Sequence, residues 1–529
     1  MNTPLKIKLC LVALDNEYIS IGLRKMAAIA RKAYPDCDFL NIIPKNIRSK
    51  EDLRLIAERI AIANVACFSL MTAHAETAKD IIAAAKALNP NLFIVWGGVH
   101  AILCPEDVIK HADAVCVGEG EKAFPQLLTA IERGISYHSI GNFWFRDGDM
   151  IIKNGFLPLN TPEEMSGFPF HLFMDNEMLF VSGLGFIPFR GQDFIKAKGL
   201  FYTTIWSIGC PNRCTYCSNS KFVKNDAKYG KIRYPSVRYI IDEIKHVLNK
   251  YPYLSAVTFV DDGFMSIPLN VLKEFADLWK KEVNIPFSVG GIIPAYVNEE
   301  KINTLVRAGL VRMRMGIQSG SDNILKFYQR PNRPGIIQEA TKIIGKYTPY
   351  TLPPNYDIIL DNPIETRDDI IRTLELVYNL PRPFTLYLFS LRVIPNTQLA
   401  IDLKERGISI PDINSSFHCL TPTLANVLVV ILVFIKLPRR IFDRLLKDAY
   451  PATVKQKTYP RLLNLLMKLY RYRVICYELL NLEISWMGGQ KALLLSKLGI
   501  NKLFRNAVMR RVSKIQKHNT FSVEAHEHA

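Results

Sequence analysis

The sequence lacks several features that would assign it to common protein classes. Its first residues, MNTPLKIKLCLVALDNEYIS, contain no long apolar stretch and no small-residue cleavage site, so a secretory signal is not expected. Only 10 of the 529 residues are cysteines, which is too few and too scattered for a disulfide framework. The apolar run at 424–435, LANVLVVILVFI, is shorter than the roughly 20 residues that span a membrane. These absences favour a cytoplasmic protein in which this run is a buried helix or an interfacial segment.

Acidic residues are also scarce relative to basic ones. The formal net charge is +18, and most of the excess lies between Lys436 and the C-terminus. No nucleic-acid-binding module or aromatic platform accompanies these charges, so nucleic acid is not an expected partner. A helix that lies on a lipid surface, built from 462–480, and a helical cap over a substrate both remain open. The protein is therefore expected in the cytoplasm, with peripheral membrane contact through this basic region as an alternative.

Residues 1–134 alternate buried apolar runs with amphipathic segments. Continuous runs such as LCLVAL, VACFSL and FIVW are typical of parallel strands that are covered on both faces. The alternation predicts a Rossmann-like α/β domain, with Ser49 as the N-cap of its second helix. No G-x-G-x-x-G follows the first strand, which disfavours a dinucleotide ligand.

Three further regions follow this domain. Residues 135–200 read as a linker that contains a hairpin turning at Asp147-Gly148. Residues 201–400 again alternate strands with helices and predict a partial (β/α)6 barrel, whose reactive groups would lie in the loops after the strands. Residues 401–529 read as a helical, basic C-terminal region.

One loop of the predicted barrel concentrates cysteine. The stretch WSIGCPNRCTYCSNSKF places Cys210, Cys214 and Cys217 directly after the first barrel strand. A structural zinc site needs four ligands, and the neighbouring sequence offers no fourth Cys or His between His171 and His246. Thiolates also hold iron–sulfur clusters, and a cluster with three cysteine ligands would leave one iron open for a ligand that is not protein.

The spacing C-x3-C-x-aromatic-C, with Tyr216 as the aromatic residue, resembles the motif of the radical S-adenosylmethionine (radical SAM) superfamily. The resemblance implies a [4Fe-4S] cluster on Cys210, Cys214 and Cys217 whose open iron chelates S-adenosylmethionine, which one electron cleaves to a 5′-deoxyadenosyl radical. It implies further S-adenosylmethionine contacts from Tyr216 near the adenine, from Asp262 in FVDDGF, and from Gln318 and Ser319 in RMGIQSGS.

A further stretch, YDIILDNPIETRDDI, is similar to a family element that usually contains glycines. Asp361 and Ile364 occupy the glycine positions here, so no ligand contact is assigned to them.

The predicted strand ends of the N-terminal sheet resemble those of cobalamin-binding domains. SLM at 69–71 and the pair Gly97-Gly98 are similar to the S-x-L and G-G elements of these domains, and GGVH and VGEGE extend the similarity to B12-binding radical SAM proteins over about residues 5–400. The resemblance implies cobalamin contacts from Ser69, Thr72, Gly97, Gly98, His100, Gly118, Glu119 and Gly120.

The motif that supplies a lower axial ligand to cobalt, D-x-H-x-x-G, is absent. The chain has Asp15-Asn16-Glu17 at this place and no histidine in its first 73 residues. We therefore expect cobalt to receive no histidine from the protein, which suits methyl transfer. For His100, helix capping or a phosphate contact is favoured over metal ligation.

The resembled class contains methylases of natural products and lipids and the anaerobic magnesium-protoporphyrin IX monomethyl ester cyclase. It implies a cobalamin-dependent radical SAM enzyme that methylates an unactivated carbon or phosphorus of a small-molecule or lipid substrate, with flavodoxin or ferredoxin as electron donor. A radical cyclase or oxidative rearrangement enzyme, and a non-catalytic corrinoid or iron–sulfur sensor, remain as alternatives. No catalytic residue is assigned.

Overall fold

The computed structural model describes most of the chain, which forms two compact units. The described residues are 6–16, 20–170, 177–330, 333, 335–409, 418–480, 485–486 and 488–524, with side chains up to residue 512. The first unit is formed from residues 1–198, 221–228 and 394–397, and the second from residues 199–220, 229–393 and 398–529.

The first unit is built on a nine-stranded sheet with the order β7-β6-β5-β4-β3-β1-β2-β8-β9. Its strands are β1 (Leu9–Leu14), β2 (Asp38–Ile42), β3 (Val65–Leu70), β4 (Phe93–Gly97), β5 (Ala114–Cys116), β6 (Phe143–Asp147), β7 (Met150–Lys153), β8 (Glu177–Val181) and β9 (Gly185–Pro188). Its helices are α1 (Ile21–Ala30), α2 (Lys50–Ala61), α3 (Ala75–Leu88), α4 (Val99–Leu103), α5 (Pro105–Val108), α6 (Gly120–Arg133), α7 (Pro162–Gly167) and α8 (Gly191–Lys198). Strands β1 to β5 are parallel, as the sequence predicts.

Both faces of this sheet are covered, which confirms the Rossmann-like prediction. Alternate residues of β1 enter two different hydrophobic clusters, Val12 on one face and Leu11 on the other. Ser49 is the N-cap of α2, and its hydroxyl accepts a hydrogen bond from the Asp52 amide at 3.1 Å.

The segment that reads as a linker adds strands to both edges of this sheet. The antiparallel hairpin β6–β7 pairs with β5, and β8 and β9 extend the opposite edge beyond β2. Asp147 pairs with Met150, so the turn residues are Gly148 and Asp149, one position later than the sequence indicated. Gly148 adopts φ +58°, and the left-handed conformation it accepts fixes the turn at this position. Residues 171–176 of this segment lie outside the described residues.

The second unit contains six parallel strands in sequential order, which confirms the partial barrel. They are β10 (Phe201–Thr204), β11 (Ala256–Phe259), β12 (Phe287–Ile292), β13 (Leu310–Gln318), β14 (Asn355–Leu360) and β15 (Thr385–Ser390). The accompanying helices are α9 (Asn219–Asn225), α10 (Val237–Lys250), α11 (Leu269–Leu278), α12 (Glu299–Ala308), α13 (Asp322–Phe327), α14 (Ile336–Gly345) and α15 (Arg367–Asn379).

The two faces of this sheet differ in polarity. Along β13, Met313 and Met315 are fully buried, whereas the alternate residues Arg312 and Arg314 are partly exposed. Because alternate side chains of a strand point to opposite faces, the arginines define a polar face, called here the open face.

The C-terminal region is helical, as predicted. Its helices are α16 (Gln398–Glu405), α17 (Leu424–Phe434), α18 (Arg439–Leu446), α19 (Pro460–Leu480), α20 (Gly489–Lys497) and α21 (Ile500–Glu524). Most side chains of α17 are buried, and this helix packs against α15 and α19, which confirms the buried-helix reading of the apolar run. In the described part of the chain, every helix is too short or too polar to cross a membrane.

Candidate functional site

The cysteine loop begins after β10 and is held at its first residues by backbone contacts. Gly209 has φ +107°, and a Cβ at this position would lie 2.5 Å from the Lys231 carbonyl oxygen. Only glycine allows this approach. The Cys210 amide donates to the Tyr229 carbonyl at 3.3 Å, so the loop starts against segment 229–231.

The other end of the loop is held by Tyr328, the residue that follows α13. The Thr215 amide donates to the Tyr328 carbonyl at 2.9 Å, and the Cys217 amide donates to the Cys214 carbonyl at 3.0 Å. The Tyr216 ring packs edge-to-face on Tyr328 with centroids 4.9 Å apart. Tyr216, which the resemblance places near adenine, is thus oriented by a buried aromatic neighbour.

The three thiols of the loop share one desolvated environment. Cys214 is buried, and Cys210 and Cys217 are partly buried. Burial raises the pKa of the Cys210 thiol to about 11 and that of the Cys217 thiol to about 12. As they stand, the described residues include no group of three His, Cys, Asp or Glu side chains that could hold a metal ion. By their chemistry, sulfur donors suit iron or zinc, and metal binding would deprotonate them.

Arg330 places a buried positive charge beside this loop. Its side chain is 7% exposed. One guanidinium nitrogen lies 3.5 Å from Cys214 Sγ and another donates to the Gly316 carbonyl at 2.9 Å, while Nε has no partner among the described residues. Neither hydrogen bond is to a carboxylate. A buried cation needs a compensating charge, and three thiolates that carry an iron–sulfur cluster would supply it. The loop therefore fits such a cluster.

Sequence reasoning missed Arg330, because it follows Cys214 by 116 residues. The available signal was an arginine that follows the fully buried Tyr328 shortly after α13.

Two aspartates follow β11 and have different roles. Asp261 is buried and accepts hydrogen bonds from the amide and hydroxyl of Ser207, both at 2.5 Å, and from the Trp206 amide at 3.2 Å. Burial raises its pKa to about 7. Asp262 is close enough to Cys210 and Cys217 for its charge to raise the pKa of both thiols. The structure therefore brings the predicted Asp262 to the cysteines, while Asp261 fixes the entry to the loop.

The ends of β13 and β14 carry non-glycine residues in left-handed conformations. Gln318 has φ +72° and Asp361 has φ +60°, each of which costs of order 1 kcal/mol and is typical of functional sites. The left-handed backbone at Asp361 is a conformation that glycine adopts more readily than aspartate. The Asp361 carboxylate accepts hydrogen bonds from the Thr421 amide at 3.0 Å and from Asn426 Nδ2 at 2.8 Å, so the first turn of α17 and the residues before it pack at this strand end.

Ser319, the second predicted residue at the end of β13, lies inside the wall of the barrel. Its hydroxyl is 3.2 Å from Thr373 Oγ1 on α15 and accepts a hydrogen bond from the Ser321 amide at 3.1 Å. Both bonds are internal, so the structure assigns this hydroxyl to packing of the strand end. Its contact with S-adenosylmethionine stays a prediction.

The open face carries charged and aromatic residues that the sequence did not reveal. Arg314 Nε donates to Asp357 at 2.8 Å. Its guanidinium carbon lies 4.4 Å from the ring centre of Tyr387 and 5.7 Å from that of Phe389. Tyr387 is 41% exposed, so this aromatic surface is accessible. The sequence signal for this polar face was the alternation of arginine with apolar residues along β13.

The C-terminal region closes part of the open face. Trp486 Nε1 donates to Thr258 Oγ1 at 2.9 Å, and the Arg312 guanidinium lies 4.8 Å from its ring centre. Arg312 also pairs with Glu478 of α19. By strand register Thr258 and Arg312 lie at one level of the sheet, whereas Tyr387 is level with Gly316, four residues after Arg312, so Arg314 and Tyr387 lie further along the strand direction.

In the first unit, the predicted cobalamin residues of β3 and β4 come together. Ser69 pairs with Gly97 across the two strands. Gly98 has φ +84°, and a Cβ there would lie 2.6 Å from Ser69 Oγ. Glycine is therefore required at this position, both for its backbone and for its close approach to Ser69.

His100 lies on α4 and is buried. Its Nδ1 is 3.3 Å from Thr72 Oγ1, its ring centre is 5.8 Å from that of Trp96, and its Nε2 is 3.8 Å from Asp107. His100 lies within α4, and its side chain caps no described helix, so the helix-capping interpretation is wrong and the phosphate contact stays a prediction. The packing of its ring also brings Thr72 to the same place, although cobalamin contacts from either residue stay a prediction.

The stretch Gly118-Glu119-Gly120 is held by contacts within the first unit. A Cβ at Gly118 would lie 2.6 Å from Asn142 Cγ, and one at Gly120 would lie 2.9 Å from Met26 Sδ. The Glu119 carboxylate accepts a hydrogen bond from the Asn160 amide at 2.7 Å. These close approaches account for both glycines, and cobalamin contacts from the stretch stay a prediction.

Two family models match the chain. The B12 binding domain matches residues 7–128, and the radical SAM superfamily matches residues 204–377. The radical SAM match includes all three cysteines of the loop. The B12-binding match includes the ends of β3 and β4, where Ser69 meets Gly98; these strand ends are called here the Ser69 and Gly98 edge.

Curated relatives with similar sequences include an uncharacterized methyltransferase of Pyrococcus horikoshii, which is 23% identical over 68% of this chain and 73% of its own length. Another is the anaerobic magnesium-protoporphyrin IX monomethyl ester cyclase of Rubrivivax gelatinosus, which is 23% identical over 52% of this chain and 50% of its own length.

Solved structures share the fold over nearly the whole chain. The methyltransferase TsrM of Kitasatospora setae, with cobalamin and a [4Fe-4S] cluster bound, has a TM-score of 0.62 at 13% identity and covers 97% of this chain and 100% of its own. The radical enzyme OxsB, with aqua-cobalamin and S-adenosylmethionine bound, has a TM-score of 0.60 at 15% identity and covers 98% of this chain and 80% of its own.

Proposed function

We propose that this protein is a cobalamin-dependent methyltransferase. Its chain joins a B12-binding domain to a radical SAM domain, and it would methylate an unactivated carbon or phosphorus of a small-molecule or lipid substrate. The observation that carries the proposal is the trio of Cys210, Cys214 and Cys217 with Arg330 as an adjacent buried cation. The enzyme class follows from the two domains, which imply S-adenosylmethionine, a [4Fe-4S] cluster and cobalamin as cofactors.

The residues that would hold these cofactors fit their chemistry. The three thiols would bind the cluster, Asp262 and Gln318 would contact S-adenosylmethionine, and the Ser69 and Gly98 edge would accommodate cobalamin. When bound, these groups supply reductive cleavage of S-adenosylmethionine and transport of a methyl group, which acid–base side chains alone cannot provide.

The chain's own residues position and shield this chemistry. Asp261 fixes the start of the cysteine loop through Ser207, and Arg330 offsets the negative charge of the thiolates. Arg314 and Tyr387 on the open face offer a cation and an aromatic surface for the substrate. Thr421 and Asn426 hydrogen-bond to Asp361 and cover the end of β14.

The choice between methyl transfer and cyclisation is tested by product analysis. Protein reconstituted anaerobically with iron, sulfide and cobalamin would be reduced and incubated with S-adenosylmethionine, labelled in its methyl group, and with lipid and aqueous extracts of the source organism. S-adenosylhomocysteine and 5′-deoxyadenosine together, with label in a product, are expected for a methyltransferase.

Other outcomes of this experiment identify the alternatives. Deoxyadenosine without S-adenosylhomocysteine would contradict methyl transfer and indicate the radical cyclase or oxidative rearrangement enzyme. If neither product forms, the sensor interpretation is favoured. Cys214→Ala provides the background, and Cys419→Ala, at an exposed cysteine of the same unit, is the matched control.

An external one-electron donor is needed for the cluster, and flavodoxin or ferredoxin would fill this role. The same assay tests it: either donor, with its reductase, is expected to replace the chemical reductant.

We propose that the protein is cytoplasmic and makes peripheral contact with an anionic membrane. The membrane contact is proposed because α19 has an exposed apolar face. The exposed apolar residues of this helix are Leu462, Leu465, Leu469, Tyr472, Ile475, Leu479 and Leu480. Most are spaced by three or four residues and share one side of the helix. Exposed Arg461 and Lys468 lie on this same side of the helix, and exposed Arg471 lies at its edge. These basic residues would repel a second copy and complement anionic lipid.

Sedimentation with vesicles tests this contact on the full chain. Binding is expected to vesicles that contain phosphatidylglycerol and to decrease with salt, with little binding to phosphatidylcholine alone. The double variant Leu465→Gln/Leu469→Gln is expected to lose binding, whereas Leu184→Gln, at an exposed leucine of the first unit, is the control. Equal binding to both vesicle types, or dimerisation in solution through α19, would contradict the proposal.

A further inference from the structure

Arg314 extends from the open face of β13 with spare hydrogen-bond donors. Its side chain is 42% exposed. Its Nε donates to both carboxylate oxygens of Asp357, at 2.8 and 3.1 Å. A guanidinium carries five N–H donors, and both of these contacts use the same one. Within the described part of the chain, neither terminal nitrogen of Arg314 donates to a protein group, so four coplanar donors remain for a ligand.

The aromatic residues of β15 fix the plane of this guanidinium. Its central carbon lies 4.4 Å from the ring centre of Tyr387 and 5.7 Å from that of Phe389, distances at which a cation is attracted to the face of a ring. The two rings are themselves stacked, with an angle of 23° between their planes. Because Asp357 holds Nε and the rings support one face, the group loses little freedom when its terminal nitrogens bind a ligand.

Arg312, two residues earlier on the same face, provides an internal comparison. Its guanidinium pairs with Glu478 and lies 4.8 Å from the ring centre of Trp486. Its side chain is 27% exposed, against 42% for Arg314. The C-terminal region therefore already supplies Arg312 with a carboxylate and an aromatic cover, and Arg314 is the more open of the two cations.

The charge of Arg314 is only partly offset by its carboxylate. Burial raises the pKa of Asp357, whereas the charges of Arg314 and of Arg330 both lower it. One carboxylate is thus shared between two guanidiniums. An oxyanion at the terminal nitrogens of Arg314 would meet a cation with positive charge to spare.

The register of the sheet connects this place to the cysteine loop. Asp357 and Tyr387 are level with Gly316 of β13. The Gly316 carbonyl accepts a hydrogen bond from Arg330, which also contacts Cys214. Neighbouring strands lie about 5 Å apart, so Tyr387 is about 10 Å from Gly316 across two strands. A small molecule anchored at Arg314 would therefore extend to the part of the open face that Arg330 borders.

We propose that the methyl acceptor of this enzyme carries a carboxylate or phosphate group, which the two terminal nitrogens of Arg314 bind. Both groups present two oxygens that match the edge of a guanidinium, a pairing that the point charge of lysine does not reproduce. Arg314 is thereby a specificity-determining residue that selects anionic acceptors. The proposal rests on the proposed function, because it names a property of the substrate of that reaction.

Binding is tested first on the holoprotein without turnover, by saturation-transfer NMR with titration. The probes are benzoate and phenyl phosphate, and benzamide and phenol are their uncharged counterparts. The wild-type protein is expected to bind at least one anionic probe roughly tenfold more tightly than its counterpart, because charge-assisted bidentate pairs are strong. No such preference in the wild-type protein would overturn the proposal.

Variants localise this preference to Arg314. Arg314→Ala is expected to lose it, and Arg314→Lys to retain part of it. The double variant Arg314→Gln/Asp357→Asn leaves no unpaired carboxylate in the fold and should show the same loss. Arg312→Gln, on the same strand and face, is the matched control and should keep the preference. A preference that persists in both Arg314→Ala and the double variant would place the anion elsewhere and overturn the assignment.

S-adenosylmethionine also carries a carboxylate, so its binding is measured separately. Its Kd is expected to be the same in the wild-type protein and in Arg314→Ala, and saturating S-adenosylmethionine should leave binding of the probes unchanged. Weaker S-adenosylmethionine binding in Arg314→Ala, or displacement of the probes, would assign Arg314 to the cofactor and overturn the proposal.

The labelled product of the extract assay identifies the anionic group. It should be retained by an anion exchanger at pH 7, and its exact mass shows whether it contains phosphorus. With the purified acceptor, Arg314→Ala should raise KM roughly tenfold, while cluster and cobalamin contents stay unchanged. An uncharged product or an unchanged KM would overturn the role of Arg314 and leave methyl transfer intact. Absence of S-adenosylhomocysteine would overturn the proposed function and this inference together.

Discussion

The two candidate cofactor edges of the molecule are built in opposite ways. In the second unit, three ligands lie on one short loop, and buried charges surround it, with Arg330 next to Cys214 and Asp261 at the loop entry. In the first unit, the edge collects small residues and an imidazole from the ends of three strands, with Ser69 against Gly98 and His74 against Asn16.

The difference follows from the size and the bonding of what each edge would hold. A compact cluster is held by strong bonds to thiolates, so a short, well-anchored loop can carry all of its protein ligands. A corrin is large, and most of its contacts are weak, so several strand ends must leave space for it. We therefore expect single substitutions to abolish function at the first kind of edge and to weaken it by degrees at the second.

The largest effect is expected for Cys214→Ala. It removes a buried cluster ligand and the thiol that lies next to the Arg330 guanidinium. Cluster content and cleavage of S-adenosylmethionine should fall to background, as measured by bound iron and sulfide and by the visible absorbance. Cys419→Ala should be unchanged. A Cys214→Ala protein that carries a full cluster would show that the loop does not bind it.

A smaller, graded effect is expected for Gly98→Ala. The new Cβ would lie 2.6 Å from Ser69 Oγ in a backbone with φ +84°. Clash and backbone strain together should cost about 1–3 kcal/mol and weaken cobalamin binding roughly tenfold or more. Binding is measured by cobalamin retained after gel filtration over a range of concentrations.

Gly134→Ala is the matched control for this substitution. Gly134 also has a positive φ, +62°, but no atom lies within 4 Å of its Cβ position. It should lose about 1–2 kcal/mol of stability from the backbone alone and keep its cobalamin affinity. Equal affinities in both variants would mean that cobalamin does not bind at the Ser69 and Gly98 edge.

Arg330→Gln should change the reduction potential of the cluster rather than its presence. Loss of a buried positive charge disfavours the more negative, reduced state, so the potential should fall by roughly 60 mV, a tenfold change in the equilibrium constant. The measurement is a redox titration followed by electron paramagnetic resonance. Arg330→Lys keeps the charge and should lie closer to wild type. An unchanged potential in Arg330→Gln would refute the compensating role of Arg330.

The same contrast between the two edges explains how far the sequence could be interpreted. The cysteine loop was predictable because its ligands share eight residues and their spacing is set by one turn of backbone. The parallel strands were predictable because burial on both faces demands continuous apolar runs. The positions of Arg330 and His74 were not predictable. Arg330 reaches Cys214 across 116 residues, and His74 reaches Asn16 across 58 residues, only because sheets and helices pack together.

Other elements escaped prediction because local sequence leaves them undetermined. Strands β8 and β9 are short and extend an edge, and nothing in EMLFV or GLGFIP indicates that β8 pairs with β2 and β9 with β8. Asp361 could be recognised as a departure from glycine, but only the fold shows that its strained backbone lets the carboxylate hold Thr421 and Asn426.

The remaining prediction concerns stability and pH rather than cofactor binding, in the second unit, where buried carboxylates lie close to the strand ends. Burial, with the charges of Asp369 and Asp361 as lesser causes, raises the pKa of Glu365 from its ordinary 4.5 to about 8. Between these values the folded state holds a proton that the unfolded chain has released, so stability should fall as pH rises from 4.5 to 8.

Glu365→Gln removes this titration. Its free energy of unfolding relative to wild type should therefore rise with pH across that window, by at most about 1.4 kcal/mol per pH unit, and level off above it. Urea unfolding at a series of pH values measures the difference. Glu299→Gln, at an exposed partner of Lys346, is the control and should change stability by less than about 1 kcal/mol. A pH-independent difference for Glu365→Gln would mean that Glu365 is ionised in the folded protein, and that the barrel edge tolerates buried negative charge without a proton.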